Sequence, residues 1–105
     1  MRPSAALASH LIDVLAAASR HQTPNVRLFG SALRSNDIDT SDLDILVDKL
    51  PQTTLFDLGG LQVELEQMLG VKVDLLTPQD LPTRFRAEVS ACARLIRVGM
   101  REREF

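Results

Sequence analysis

Apolar residues recur at the spacing of one helix face in three parts of the chain. This pattern predicts amphipathic helices over residues 4–20, about 53–69 and about 83–93. Gly59 and Gly60 fall inside the second helix, where each glycine costs about 1 kcal/mol relative to alanine. The second helix therefore begins either at the capping threonines at its start or as late as Gly60.

Short apolar runs occupy the segments between these helices. The runs predict three strands over residues 26–29, 43–47 and 71–76, and the second strand is predicted to be buried on both faces. Residues 95–98 form a last apolar run, which fits either a short helical extension or an edge strand. The order helix, strand, strand, helix, strand, helix indicates an α/β (α+β) domain in which helices cover a small sheet.

The size and composition of the chain limit the classes of protein to which it can belong. With 105 residues, of which 45% are hydrophobic, we expect residues 1–105 to form a single domain with a modest core. The net charge of −2 and the pI of 5.6 give no electrostatic basis for binding bulk nucleic acid. No apolar stretch approaches the length that spans a bilayer, so we expect a cytoplasmic protein with no membrane contact.

The C-terminal part of the chain holds the one cysteine and a local excess of arginine. Cys92 has no partner for an internal disulfide, as is typical of a reducing compartment, and the pattern predicts a small buried residue on the last helix. The last stretch is basic because it holds Arg94, Arg97, Arg101 and Arg103. A contact with a partner is the functional interpretation of this stretch.

Two carboxylates stand at the start of the second predicted strand. Asp42 and Asp44 are two residues apart, so in a strand their side chains project from the same face. Neighbouring carboxylates repel each other unless a cation lies between them, and Mg²⁺ prefers such oxygen ligands. The alternative is turn chemistry at Asp42 with Asp44 as a surface carboxylate. The apolar run around Asp44 favours the metal interpretation, because an unpaired buried carboxylate is costly.

Gly30 and Ser31 end the first predicted strand. Backbone N–H groups at a turn from strand to helix are a suitable seat for phosphate, and glycine permits a close approach of the ligand. An ordinary turn at the end of a strand is the alternative. Beside the paired carboxylates, the Gly-Ser pair predicts a site for a metal and a nucleotide.

Asp74 is a third carboxylate inside an apolar strand. It lies two residues from Lys72, so the face that these two residues share is polar. A structural Asp paired with Arg or Lys is the alternative to a functional role.

The residues from 26 to 47 resemble a known family signature. Gly30-Ser31, a ten-residue spacer and Asp-x-Asp at 42–44 are similar to the signature of the DNA polymerase β-like nucleotidyltransferase superfamily. The run Leu-Phe-Gly-Ser-x-x-Arg ending at Arg34, and the short chain, resemble its minimal nucleotidyltransferase branch, the MntA-type antitoxins paired with HEPN toxins. The resemblance implies a small mixed β-sheet flanked by helices, the polymerase β-like nucleotidyltransferase core.

The resemblance also implies a chemistry. Asp42, Asp44 and Asp74 are expected to be catalytic and to hold Mg²⁺, with two ions expected. Asp74 is expected to accept the proton of the attacking hydroxyl. The reaction implied is transfer of AMP from ATP to a hydroxyl, with pyrophosphate as the leaving group.

The same resemblance implies that Gly30, Ser31 and Arg34 bind the phosphates of ATP. Arg34 matches the arginine that often follows Gly-Ser in this branch, and its fork of donors suits a phosphate. Pairing with Asp37 or Asp39 is the alternative for Arg34.

The acceptor and the partner are implied by the resemblance alone. They are a hydroxyl, expected to be a tyrosine, on a cognate HEPN-domain ribonuclease toxin that the chain would silence as its antitoxin. A homo-oligomer or hetero-oligomer is compatible with this role. Two alternatives stay open: a non-catalytic antitoxin that neutralises the toxin by direct binding, and a nucleotidyltransferase for small molecules.

Overall fold

The structure is a computed structural model that describes residues 1–30, 32 and 36–105. The described part contains four α-helices, namely α1 (Pro3–Ser9), α2 (Leu11–Arg20), α3 (Leu55–Leu69) and α4 (Thr83–Cys92). It contains four strands, namely β1 (Arg27–Phe29), β2 (Leu43–Leu46), β3 (Val73–Leu76) and β4 (Arg94–Leu95). Short 3₁₀ turns cover Pro78–Asp80 and Glu102–Glu104.

The four strands form one mixed sheet in the order β3-β2-β1-β4. β2 and β3 are parallel, whereas β1 is antiparallel to both β2 and β4. The parallel pair needs a crossover, and α3 supplies it. The predicted α/β class, with a small mixed sheet flanked by helices, is therefore confirmed. The last apolar run contributes an edge strand, which begins at Arg94 and so starts one residue earlier than predicted.

The hydrophobic core lies between one face of the sheet and the helices α1, α2 and α3. Leu43 and Ile45 of β2 project into it, while Asp44 between them points to the opposite face. Leu46 is also completely buried, so β2 is covered on both faces along part of its length, as predicted. Other large and fully buried side chains of the core include those of Leu7, Val14, Leu28, Leu61, Leu65 and Val73.

The predicted helix over residues 4–20 is interrupted at His10, so the prediction of one continuous helix is wrong. His10 has φ −128° and ψ 23°, and its imidazole Nδ1 lies 2.9 Å from the carbonyl oxygen of Ala6. Both helices bury residues in the same core. The apolar spacing therefore continues across the break, and periodicity could not reveal it.

The predicted start of α3 at a capping threonine is confirmed, and the later start at Gly60 is wrong. The Thr54 hydroxyl accepts a hydrogen bond from the Asp57 N–H at 3.2 Å, and the Asp57 carboxylate accepts one from the Thr54 N–H at 2.8 Å. This reciprocal arrangement satisfies two N–H groups that the first turn leaves unpaired. Gly70 ends the helix in the left-handed conformation with φ 69°.

Two further predictions need correction. β3 begins at Val73 and not at residue 71, because the chain first completes the turn at Gly70, after which the Glu66 carboxylate accepts a hydrogen bond from the Val73 N–H at 3.0 Å. Cys92 is exposed and not buried. None of the ten residues of α4, all of which the structure describes, is buried.

Within the described residues, no helix has the length and apolar character needed to cross a bilayer.

Two glycines at α3 give a matched test of the backbone. A Cβ at Gly59 would meet no atom within 4 Å, so Gly59→Ala should stabilise the fold by about 0.5–1 kcal/mol. Gly70 also has open space, but its positive φ strains any side chain, so Gly70→Ala should destabilise the fold by about 1 kcal/mol. Urea unfolding of both variants measures the difference. Equal effects of the two substitutions would contradict this assignment of the helix end.

Candidate active site

The parallel pairing of β2 and β3 brings two carboxylates together. Asp44 and Asp74 are direct partners in the register of the two strands, so their side chains lie next to each other on one face of the sheet. Neighbouring carboxylates repel each other when both are ionised. The sheet therefore holds Asp44 and Asp74 in a geometry that two ionised groups would oppose.

The pKa of the Asp44 carboxyl is raised from 3.8 to about 6. Burial is the first cause, because removal from water disfavours the charged form. Repulsion by Asp74 and the hydrogen bond with Asp74 are the next causes, and repulsion by Asp42 contributes least. The electrostatics of this face thus oppose three negative charges and favour an added positive charge.

Gly30 closes one side of this pair. It has φ 76°, and a Cβ at this position would collide with the Asp44 Oδ2 and lie 2.9 Å from the Asp44 Cγ. Both the backbone conformation and the close approach of the carboxylate therefore require glycine. The predicted proximity of Gly30 to the carboxylate pair is present in the structure.

Asp42 stands at the entrance of the site. Its side chain is partly exposed, and its Oδ2 lies 3.9 Å from the Lys72 Nζ. No group of three or more His, Cys, Asp and Glu side chains within the described residues surrounds a common point in the manner of a closed metal centre. The arrangement is instead open, with two carboxylates in contact and a third beside them.

This donor set fits Mg²⁺. The ion takes one or two carboxylates and fills its remaining positions with water and phosphate oxygens. Asp44 and Asp74 offer two adjacent carboxyl groups, and the raised pKa of Asp44 indicates that the pair lacks a compensating charge. Asp42, on the same face, is available as a further ligand.

Two of the predicted phosphate-binding residues, Ser31 and Arg34, lie outside the described residues. The structure therefore gives no contact for them, and their roles stay predictions. Ala32, which follows Ser31, is completely buried in the core.

Asp37 makes a contact that the sequence did not predict. The residue is 3% exposed, and its carboxylate accepts hydrogen bonds from both the N–H and the hydroxyl of Ser4, each at 2.7 Å. The Ser4 hydroxyl also lies 3.2 Å from Glu102, which forms an ion pair with Arg2. Asp37 thus attaches the segment that leads to Asp42 to the first turn of α1.

A signal for this contact was present in the sequence. α1 begins at Arg2-Pro3, and Arg2 is not a capping residue. The N–H groups of its first turn therefore needed an acceptor from elsewhere. Asp37 supplies that acceptor from 33 residues away.

Asp48 lies just after β2, and its side chain is partly exposed. It accepts hydrogen bonds from the Arg27 guanidinium at 2.5 Å and from the Asn25 side chain at 2.7 Å. This network ties the loop before β1 to the end of β2, so Asp48 has a structural role.

A cleft of about 900 Å³ opens beside Gly30. Its lining includes Gly30, Asn36, Cys92, Arg94, Leu95 and Arg97. The cleft connects the turn next to the carboxylates with the C-terminal edge of the sheet, which carries two arginines.

Comparison with known proteins identifies relatives of this chain. Residues 13–98 match the family model described as "Polymerase beta, Nucleotidyltransferase". Two proteins of Methanocaldococcus jannaschii are similar in sequence. "Putative protein adenylyltransferase MJ0435" is 43% identical over 58 residues, which are 55% of this chain and 62% of the relative. "Putative protein adenylyltransferase MJ1217" is 36% identical over 62 residues, which are 59% of this chain and 63% of the relative.

A solved structure extends the comparison to almost the whole fold. The structure described as "Structure of putative minimal nucleotidyltransferase" superposes with a TM-score of 0.77 at 36% identity and covers 88% of this chain and 92% of its own. The chain matches less than two thirds of the length of the two archaeal relatives. The family match and the superposition together establish that this chain belongs to the polymerase β nucleotidyltransferase family, as one of its minimal nucleotidyltransferases.

Proposed function

We propose that this chain transfers AMP from ATP to a hydroxyl of a protein acceptor, with Asp42, Asp44 and Asp74 as its catalytic residues. The acceptor is a tyrosine of a cognate HEPN-domain toxin, and the chain acts as the antitoxin. Because the reaction consumes ATP, we assign it to the cytoplasm. The names of the archaeal relatives, protein adenylyltransferases, support a protein acceptor.

One observation carries this proposal. The sheet holds Asp44 against Asp74 although burial and repulsion raise the pKa of Asp44 to about 6. A fold gains nothing from such a pair in isolation, whereas a bound cation turns the repulsion into coordination. Gly30 lies directly against the same carboxylate, so the predicted Gly-Ser motif begins beside the carboxylate pair.

The chain's own residues contribute position and charge. Asp44 and Asp74, with Asp42, would hold Mg²⁺, with two ions expected. The bound ions supply charge neutralisation at the attacking and leaving oxygens. Gly30, Ser31 and Arg34 would bind the phosphates of ATP, as the family motif implies. Asp74 accepts the proton of the acceptor hydroxyl.

The contact of Asp37 with Ser4 has a role in this scheme. The segment from Asn36 to Ser41 leads directly to Asp42. Asp37 fixes this segment to α1 through two hydrogen bonds. Small displacements of a reacting group reduce rates strongly. Asp37 is therefore a positioning residue and not a catalytic one.

A transfer assay tests the proposed function. The chain is incubated with Mg²⁺, ATP labelled at the α-phosphate, and the product of the neighbouring reading frame, which the proposal expects to be a HEPN-domain protein. We expect label on a tyrosine of that protein, no label with Asp44→Asn, and full label with Asp13→Asn, an exposed carboxylate of α2. Tight binding of the partner without label would favour the antitoxin that acts by direct binding. Label on a small molecule alone would favour the nucleotidyltransferase that acts on small molecules.

The stability of the metal-free chain provides an independent test of the carboxylate pair. Folded Asp44 keeps its proton to a higher pH than the unfolded chain, whose carboxyl titrates near 3.8. The folded state therefore binds more protons between about pH 4 and pH 6, and stability from this group falls as the pH rises through that window. Asp44→Asn removes the penalty, which we expect to be about 1 kcal/mol at pH 7 after allowing for partial solvation.

Thermal melts of the wild type and Asp44→Asn in chelator at pH 4 and pH 7.5 measure this effect. The variant should gain most at pH 7.5. The pKa of Glu64 is lowered by its hydrogen bond with Arg20, so the contribution of Glu64 to stability rises with pH. Both proteins contain Glu64, so this contribution cancels in the comparison. A variant that is less stable than the wild type at pH 7.5 would contradict the repulsion argument.

Substitution of Asp74 separates binding from chemistry. If Asp74 acts as the proton acceptor, Asp74→Ala should keep its affinity for Mg-ATP, while transfer falls by roughly 10²–10⁴-fold, the usual contribution of a positioned general base. Calorimetric titration and the labelled transfer assay on the same protein measure both. A parallel loss of affinity would make Asp74 chiefly a metal ligand, and unchanged turnover would remove it from the mechanism.

A further inference from the structure

The charge of the chain is divided unevenly along its length. Residues 83–105 contain six arginines and three glutamates, whereas residues 1–82 contain six basic and eleven acidic residues. The C-terminal segment is therefore net positive on a chain that is otherwise acidic. An acidic ligand is attracted to this segment and repelled by the remainder.

Part of this positive charge lies on the exposed edge of the sheet. β4 is the last strand in the sheet order, so its outer side faces no strand within the described residues. Arg94 and Arg97 are both exposed at this edge. The Arg97 guanidinium has no hydrogen bond or ion pair with any described residue. Arg94 donates one hydrogen bond, to the Glu104 carbonyl at 2.8 Å, and keeps further donors.

Apolar side chains accompany the arginines. Leu95 is 46% exposed and Val98 is 62% exposed. We define the basic edge as Arg94, Leu95, Arg97 and Val98. Its two cationic and two apolar side chains complement a segment that carries both acidic and apolar residues.

The basic edge continues into the candidate active site. Arg94, Leu95 and Arg97 line the same cleft as Gly30, whose other side contacts Asp44. A segment bound at the edge therefore lies beside Gly30. We propose that the basic edge docks an acidic segment of the protein acceptor, and so brings the acceptor hydroxyl to the site. This docking role rests on the proposed function, because only a transferase has an acceptor.

A protein ligand fits this surface better than a nucleic acid. Single-stranded nucleic acids are held by a basic track combined with aromatic side chains on which bases stack. No aromatic side chain lines the cleft within the described residues, and Phe85 of α4 lies beneath the guanidinium of Arg84.

Peptide binding tests the proposal without reliance on catalysis. The probe is a fluorescein-labelled peptide of alternating Glu and Leu with one central Tyr, and the matched peptide carries Gln for each Glu. Fluorescence anisotropy with the full chain should show at least tenfold tighter binding of the Glu peptide at low salt, and this preference should shrink as salt is raised. Equal affinity for the two peptides would overturn the proposal.

Arg97 and Arg84 form a matched pair of exposed arginines. Arg97→Gln should weaken the Glu peptide about two- to fivefold, while Arg84→Gln, which removes the same charge outside the cleft, should leave it unchanged. Arg97→Glu should bind a Lys-Leu peptide more tightly than the wild type does. Equal losses of affinity in Arg97→Gln and Arg84→Gln would show that only the net charge matters and would overturn the proposal. The proposal would also be overturned if an oligouridylate bound more tightly than the Glu peptide and lost that affinity in Arg97→Gln.

The two proposals can fail separately. Binding of the Glu peptide with no AMP transfer under any condition would overturn the proposed function and leave the basic edge as a docking surface. Transfer of AMP to tyrosine peptides with no preference for acidic flanks would overturn the docking proposal alone. With the Glu peptide as acceptor, Arg97→Gln should raise the peptide KM two- to fivefold and leave kcat unchanged, and a loss of kcat alone would contradict the docking role.

Discussion

The contact between Asp44 and Asp74 is the constraint on which the site depends. It exists because two strands run in parallel and in register, and because α3 crosses between them. The buried neighbours of Asp44, Leu43 and Ile45, fix which face of β2 points outward. A shift of β2 by one residue would move Asp44 into the apolar core, so the hydrophobic packing that stabilises the sheet also specifies the position of this charge.

The cost of this contact is met by the remainder of the domain. A raised pKa means that the ionised pair is less favourable in the folded chain than in the unfolded one. The core beneath β2 and the capped α3 compensate for this cost. The absence of a side chain at Gly30 lets the Asp44 carboxylate lie close to the backbone. Stability and reactivity are thus supplied by different residues, on opposite faces of the same four-residue strand.

The sequence was sufficient for the elements whose signal is local. Alternating side chains placed Asp42 and Asp44 on one face, and the Gly-Ser pair with Asp-x-Asp pointed to the family. The break at His10 was not predictable, because α1 and α2 contribute to one core and keep one periodicity. The contact of Asp37 with Ser4 and the ion pair of Asp48 with Arg27 join residues that are distant in sequence, so no local pattern identifies the partners. For Asp37 the sequence showed only that the first turn of α1 lacks a capping residue. The predicted burial of Cys92 was wrong because a small apolar residue suits a core, whereas α4 lies on the surface.

The polar contacts of α1 have a topological consequence. Arg2 and Ser4 both contact Glu102, so the first and last turns of the chain lie side by side. A short linker between the ends could therefore be accommodated, with new ends opened at the exposed turn of Pro51 and Gln52. Such a circular permutant would keep the register of β2 and β3 and the attachment of Asp37. The site would then be independent of the order in which its parts occur along the chain.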